Sequence, residues 1–160
     1  MTITELLHQY SLHPNIGALE ALLKETSPKH IYCEGLRASS SSLFFSALTG
    51  NNDCSFLFIL NDLEEAGYFY HDMTQVLGTE HILFFPSSFR RAVKYGQKDA
   101  ANEILRTEVL SRLQKGERGL CIVTYPDALV EKVVSKKELS DKTLKLHVGE
   151  QVDTSFITDV

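Results

Sequence analysis

Apolar residues in this chain fall into short continuous runs separated by stripes at helical spacing, a pattern that predicts strands alternating with helices. Two short helical patterns come first, over 3–10 and 15–24, divided by His13 and Pro14. In the second, Ile16, Leu19, Leu22 and Leu23 recur behind Asn15 as a cap. Ser27 and Pro28 break this lead-in, and Ile31, Tyr32 and Cys33 read as a first strand ending at Glu34 and Gly35. After a polar turn, an apolar helical pattern starts at Leu43 and closes at Gly50. Asn51, Asn52 and Asp53 form a turn, and the continuous apolar run 54–60 predicts a strand covered on both faces. Asn61 reads as the cap of a helix with Asp62, Glu64 and Glu65 in its first turn, favourable at the positive end of the helix dipole. Its stripe is Leu63, Ala66, Gly67, Tyr70, Met73 and Leu77, with Gly67 expected to allow close approach to the sheet and Gly78 to end the helix.

A third strand over 81–85 stops at Pro86, and 86–96 is a loop rich in serine, arginine and aromatics. The longest helix, 97–115, carries Ala101, Leu105, Val109 and Leu113 at intervals of four, with Ile104 beside them. A fourth buried strand, 120–124, is followed by a short helix from Pro126 through Val134, with Asp127 in its first turn. Strand and helix alternating four times predict an α/β fold: a three-layer parallel sheet with helices on both faces and ligand sites at the carboxyl ends of the strands. From Ser135 the character changes, with polar SKKELSDKT followed by the alternating LKLHV. The expected organisation is a helical lead-in over 1–30, an α/β domain over 31–136, and the start of a second domain over 137–160.

At 160 residues the chain has the length of one domain, and its net charge of −5 argues against a general nucleic-acid surface, which needs a basic excess. Cys33, Cys54 and Cys121, odd in number and without close spacing, read as buried thiols of a cytosolic protein. The six histidines lack ligand-like spacing, so no metal site is expected. No basic leader runs into an apolar core, and no stretch approaches the ~18 apolar residues of a membrane span. A soluble cytoplasmic protein is expected.

The stretch 31–50 has the layout of a phosphate-binding loop, strand then loop then helix. Laid on GxxxxGK[ST], it gives Gly35, four residues, then Ser40, Ser41 and Ser42. The first glycine and the last hydroxyl are present, but Ser40 stands where glycine lets backbone meet phosphate and Ser41 where lysine neutralises the β/γ-phosphates. The same string also describes an ordinary turn with a serine N-cap. No catalytic residue stands out. Glu64 and Glu65 suit dipole compensation, and Ser39 to Ser42 lack a nearby histidine or lysine to activate them. Arg90, Arg91, Lys94 and Lys98, interleaved with Phe89 and Tyr95, are the candidates for DNA or partner contact, since their loop follows a strand's carboxyl end. A solvated basic loop containing core aromatics has the same pattern.

The string GLRASSSSLFFSAL, the strand FLFIL, FP ending the third strand, a long helix closing in LQKGERG, and CIVTYPDAL together resemble the N-terminal part of bacterial transcription-repair coupling factors. The first domains of these proteins are similar to those of the excision-repair protein UvrB. The resemblance runs from about Ile31 to Val152, with LKLHVGEQVD similar to the entry into the second domain. It implies a P-loop NTPase or helicase-like fold with a degenerate phosphate loop, since UvrB proteins carry GK[ST] where coupling factors do not. CIVTYPDAL corresponds to a strand and helix of that fold and not to the Asp-Glu box, so Asp127 is not implied to bind magnesium. The implied function is transcription-coupled nucleotide excision repair, with UvrA recruited to lesions where RNA polymerase has stalled. ATP, magnesium, DNA and RNA polymerase would engage other domains of the full-length protein, and no cofactor is implied for these residues. The UvrA surface would lie mainly in the second domain, so the chain is expected to be part of a longer protein with an exposed sheet edge prone to self-association. Two other readings stand beside this one: a nucleotide-binding helicase-type ATPase module and a local single-site DNA-binding module.

Overall fold

A computed structural model describes residues 2–27, 29–50, 53–89, 99–141 and 149. The chain begins with α1 (Ile3–Ser11) and α2 (Pro14–Leu23). A capping box between Thr2 and Glu5 starts α1, and Pro14 opens α2 with the His13 ring accepting the Asn15 amide. α3 (Ser40–Thr49), β1 (Phe56–Ile59), α4 (Leu63–Leu77), β2 (Ile82–Phe85), α5 (Ala100–Gln114) and β3 (Cys121–Thr124) follow, then the short helices α6 (Pro126–Leu129) and α7 (Lys136–Asp141).

The three strands form a parallel sheet in the order β1-β3-β2, with Phe58 and Phe84 both level with Val123. Because side chains alternate across a strand, level residues share a face. Phe58 meets Phe45 of α3 and Phe69 of α4, and Phe84 meets Tyr70 of α4, so α3 and α4 cover that face. Phe85 points to the other face, where Arg106 of α5 lies over its ring. Helices therefore flank the sheet on both sides. β3, in the centre, is buried throughout. Two apolar clusters make up the interior, one between the sheet and α4 and α5, the other around Ile16, Phe44 and Leu48, and Phe45 and Phe56 pack against both.

Several expectations are corrected. Ile31, Tyr32 and Cys33 form no strand: they have no ladder partner, and Ile31 and Tyr32 are 47% and 87% exposed. The sheet has three strands among the described residues, not four. β1 is not covered on both faces, since Leu57 and Ile59 are each 55% exposed and α5 packs chiefly on β2. Asp62 rather than Asn61 caps α4, accepting the Glu65 amide at 2.9 Å, whereas Asn61 donates to the Glu65 carboxylate. Gly67 makes no close approach, because a Cβ there would meet nothing within 4 Å, and Phe69 takes the buried position with Ala66 and Met73. On α5, Ile104 and Leu113 face outward while Arg106 and Val109 are buried. α6 ends at Leu129, short of Val134. Cys33 and Cys54 are exposed, leaving Cys121 as the buried thiol. The alternating segment 144–148 lies outside the described residues. No helix among the described residues is long and apolar enough to cross a membrane.

Candidate functional site

The phosphate-loop stretch and the carboxyl end of the sheet are both built from serines, but their hydrogen bonding differs. Gly35 (φ 88°) and Ala38 (φ 47°) bend the chain through left-handed conformations just ahead of α3. The hydroxyl of Ser40 accepts the Arg37 amide at 2.7 Å and donates to the Arg37 carbonyl at 2.6 Å, and Ser41 donates to the Ala38 carbonyl at 3.0 Å. The amides of Ser40 and Ser41 also turn back to Arg37 and Ala38. Ser42, almost wholly buried, donates to the Asp72 carboxylate of α4 at 3.1 Å. Ser39 occupies the N-cap position without a side-chain cap bond, so the serine N-cap reading is not realised there.

Beside this loop runs a groove of about 820 Å³, walled by Ser41, Ser42 and Tyr68 and floored by β1. Among the described residues, Glu65 and Asp72 are its charged lining residues, and no cationic side chain lines it. This is the reverse of what a phosphate requires: the position of the missing lysine faces carboxylates, and the amides that would cradle an anion donate to their own turn. Ser41 and Ser42 thus line a groove of the wrong charge for a nucleotide, whereas Gly35 and Ser40 line a separate pocket beside α2, and no strand leads into the turn.

At the carboxyl ends of β2 and β3 lies a second cluster that sequence reasoning missed. Arg106 is buried, with its guanidinium 4.1 Å from the centre of the Phe85 ring. One guanidinium nitrogen donates to the carbonyls of Pro86 (2.7 Å) and Ala128 (3.0 Å) and lies 3.5 Å from Glu131. Glu131 accepts the Ser87 hydroxyl, and the amide and hydroxyl of Ser88 (3.0 and 2.8 Å). Burial pushes the Glu131 carboxyl up, but the Ser87 and Ser88 hydrogen bonds and the Arg106 charge outweigh it and hold the group below the usual carboxylate range. Tyr125 accepts the Ser87 amide, and Asn102 donates to the Ser87 carbonyl. Comparison of the chain with protein families, characterised proteins and solved structures finds no match.

A carboxylate holding this many donors has little capacity left to act as a base, so the cluster serves as a clamp on the segment leaving β2. The Asp99 amide donates to the Ser88 carbonyl at 2.7 Å, so the two ends of the basic loop meet at this clamp. Arg90, Arg91, Lys94 and Lys98 themselves lie outside the described residues. Asn102, Arg106 and Val109 share one helical face, and a polar pair in phase with a buried valine is the one signal in the sequence that pointed to this cluster. Its partners, on the β2 loop and beyond α6, carry no local signal.

Proposed function

We propose that this chain is a non-catalytic, UvrB-like interaction module of a cytoplasmic transcription-repair coupling factor, acting in transcription-coupled nucleotide excision repair. In this reading it helps recruit UvrA to lesions where RNA polymerase has stalled, while an ATP- and magnesium-dependent translocase elsewhere in the full-length protein engages DNA. In this reading the turn ahead of α3 stands where a P-loop protein carries its phosphate loop, without the strand that would lead into it. The observation that carries the reading is the loop itself: Ser40 and Ser41 are committed to their own turn, and Ser42 to Asp72. A glycine-serine turn ahead of a helix whose hydroxyls are spent on the turn itself and on Asp72 fits a scaffold descended from a nucleotide site and used for protein contact.

The test is calorimetric titration of UvrA with this chain and with the chain extended by a coupling-factor second domain. Weak or absent binding is expected for the 160 residues and clear binding for the extended form. Equal tight binding by both would move the contact surface into the first domain, and no binding by either would overturn the assignment.

A further inference from the structure

β1 is an unprotected edge among the described residues. Among the described residues it pairs with β3 alone, to which Phe56 and Leu60 are tied by amides bonded to Leu120 and Thr124 at 2.7 and 2.9 Å. In a parallel ladder alternate residues face one neighbour, so the amides and carbonyls of Leu57 and Ile59 point to the open side. Natural edges are blunted by a charge, a proline or a bulge, whereas Ser55-Phe-Leu-Phe-Ile-Leu-Asn61 carries no charge and no proline. The 820 Å³ groove runs along this edge.

Its two sides differ in chemistry. One presents the half-exposed Leu57 and Ile59 side chains. On the other, where Phe56 and Phe58 meet α3 and α4, stand Ser42 and the Asp72 carboxylate, with Glu65 nearby and no lining cation among the described residues. A strand laid against β1 would alternate between these sides with its own period of two. We propose that the edge is a docking site for an extended segment of a partner protein, added to β1 as a fourth strand. Its aliphatic side chains lie beside Leu57 and Ile59, and a lysine or arginine reaches Asp72. A second copy of this chain is the poorer occupant, because it would bring Glu65 and Asp72 of two grooves together without a cation in either.

The probes are two capped heptapeptides, one alternating valine with lysine and one valine with glutamate, titrated into ¹⁵N-labelled chain. The lysine peptide is expected to shift the Leu57 and Ile59 amides and slow their exchange, and to bind about tenfold or more tightly than the glutamate peptide. Ile59→Pro removes an outward amide without touching the β1–β3 ladder and should abolish the binding while leaving the spectrum dispersed. Asp72→Lys should invert the preference, whereas Glu108→Lys, the same charge change on the exposed face of α5, should leave it intact. If Ile59→Pro fails to fold, the Asp72→Lys inversion decides alone. Equal binding of both peptides, an inversion produced equally by Glu108→Lys, or undiminished binding by a folded Ile59→Pro chain would overturn the proposal. So would self-association that protects these amides without peptide, which would make a second copy the occupant.

Discussion

Arg106→Leu is expected to lower the unfolding free energy by about 3–5 kcal/mol, the usual result of removing one partner from a buried ion pair. Leucine keeps apolar volume over Phe85 but leaves the Pro86 and Ala128 carbonyls without their donor and Glu131 without its counter-charge. Urea unfolding at neutral pH measures the loss. The double substitution Arg106→Leu with Glu131→Leu should cost less than the sum of the single changes, because the second removes the charge that the first strands. The pH dependence has a definite sign. The folded-state pKa of Glu131 lies below its unfolded value, so its contribution is fully present above the ordinary carboxylate pKa of ~4.3 and is lost as pH falls through the lower folded value. Glu131→Gln should flatten that acid limb. An Arg106→Leu protein as stable as the parent would mean that the clamp is an incidental contact.

Mg-ATP should give no binding heat with the unmodified chain, and Ser41→Lys alone should change little, because the new ammonium would be neutralised by Asp72 and Glu65 in the same groove. Recovery needs three changes together: Ser40→Gly to open the backbone to phosphate, Ser41→Lys to supply the charge, and Asp72→Asn to remove the opposing carboxylate. A hydrogen bond to a charged group is worth ~1.5–3 kcal/mol, so the triple variant should gain roughly 10- to 150-fold in nucleotide affinity over Ser40→Gly with Asp72→Asn. No turnover should follow, because the Asp-Glu box is absent from the chain and no arginine finger is supplied. Micromolar Mg-ATP binding by the unmodified chain would overturn the degenerate-loop reading. Turnover by the triple variant would mean that a second catalytic motif lies among these residues.

The site was legible in unequal parts. The glycine and serines at 35–42 marked a turn ahead of a helix, and the chain does turn at Gly35 and Ala38 before α3, because such a turn is set by residues within one or two turns of each other; the strand expected before it is not there. Asp72 was invisible because it is 30 residues from Ser42 and meets it only when α4 packs against α3. Arg106 lies on a helix whose apolar stripe predicted Ile104 and Leu113 as core, and both are exposed. The stripe held at Val109 and failed at Ile104 and Leu113, and it missed Arg106, because a guanidinium with carbonyl, carboxylate and ring partners can be buried where a propensity argument places it outside.

What the sequence determined by itself is the set of local decisions: the two lead-in helices, though His13 and not Asn15 caps the second, α4 closing at Gly78, β2 stopping at Pro86, and three apolar runs becoming parallel strands. Each follows from dihedral preference, capping or periodicity over a few residues, where the competing conformations are also local. The tertiary structure decided the rest. It inserted β3 between β1 and β2, left β1 at an edge with Leu57 and Ile59 half uncovered, and left Ile31, Tyr32 and Cys33 unpaired. Similar apolar runs met different fates because burial depends on which neighbours arrive on each side. Strand order, and with it the partners of Ser42 and Arg106, is settled only when segments distant in the chain pack together.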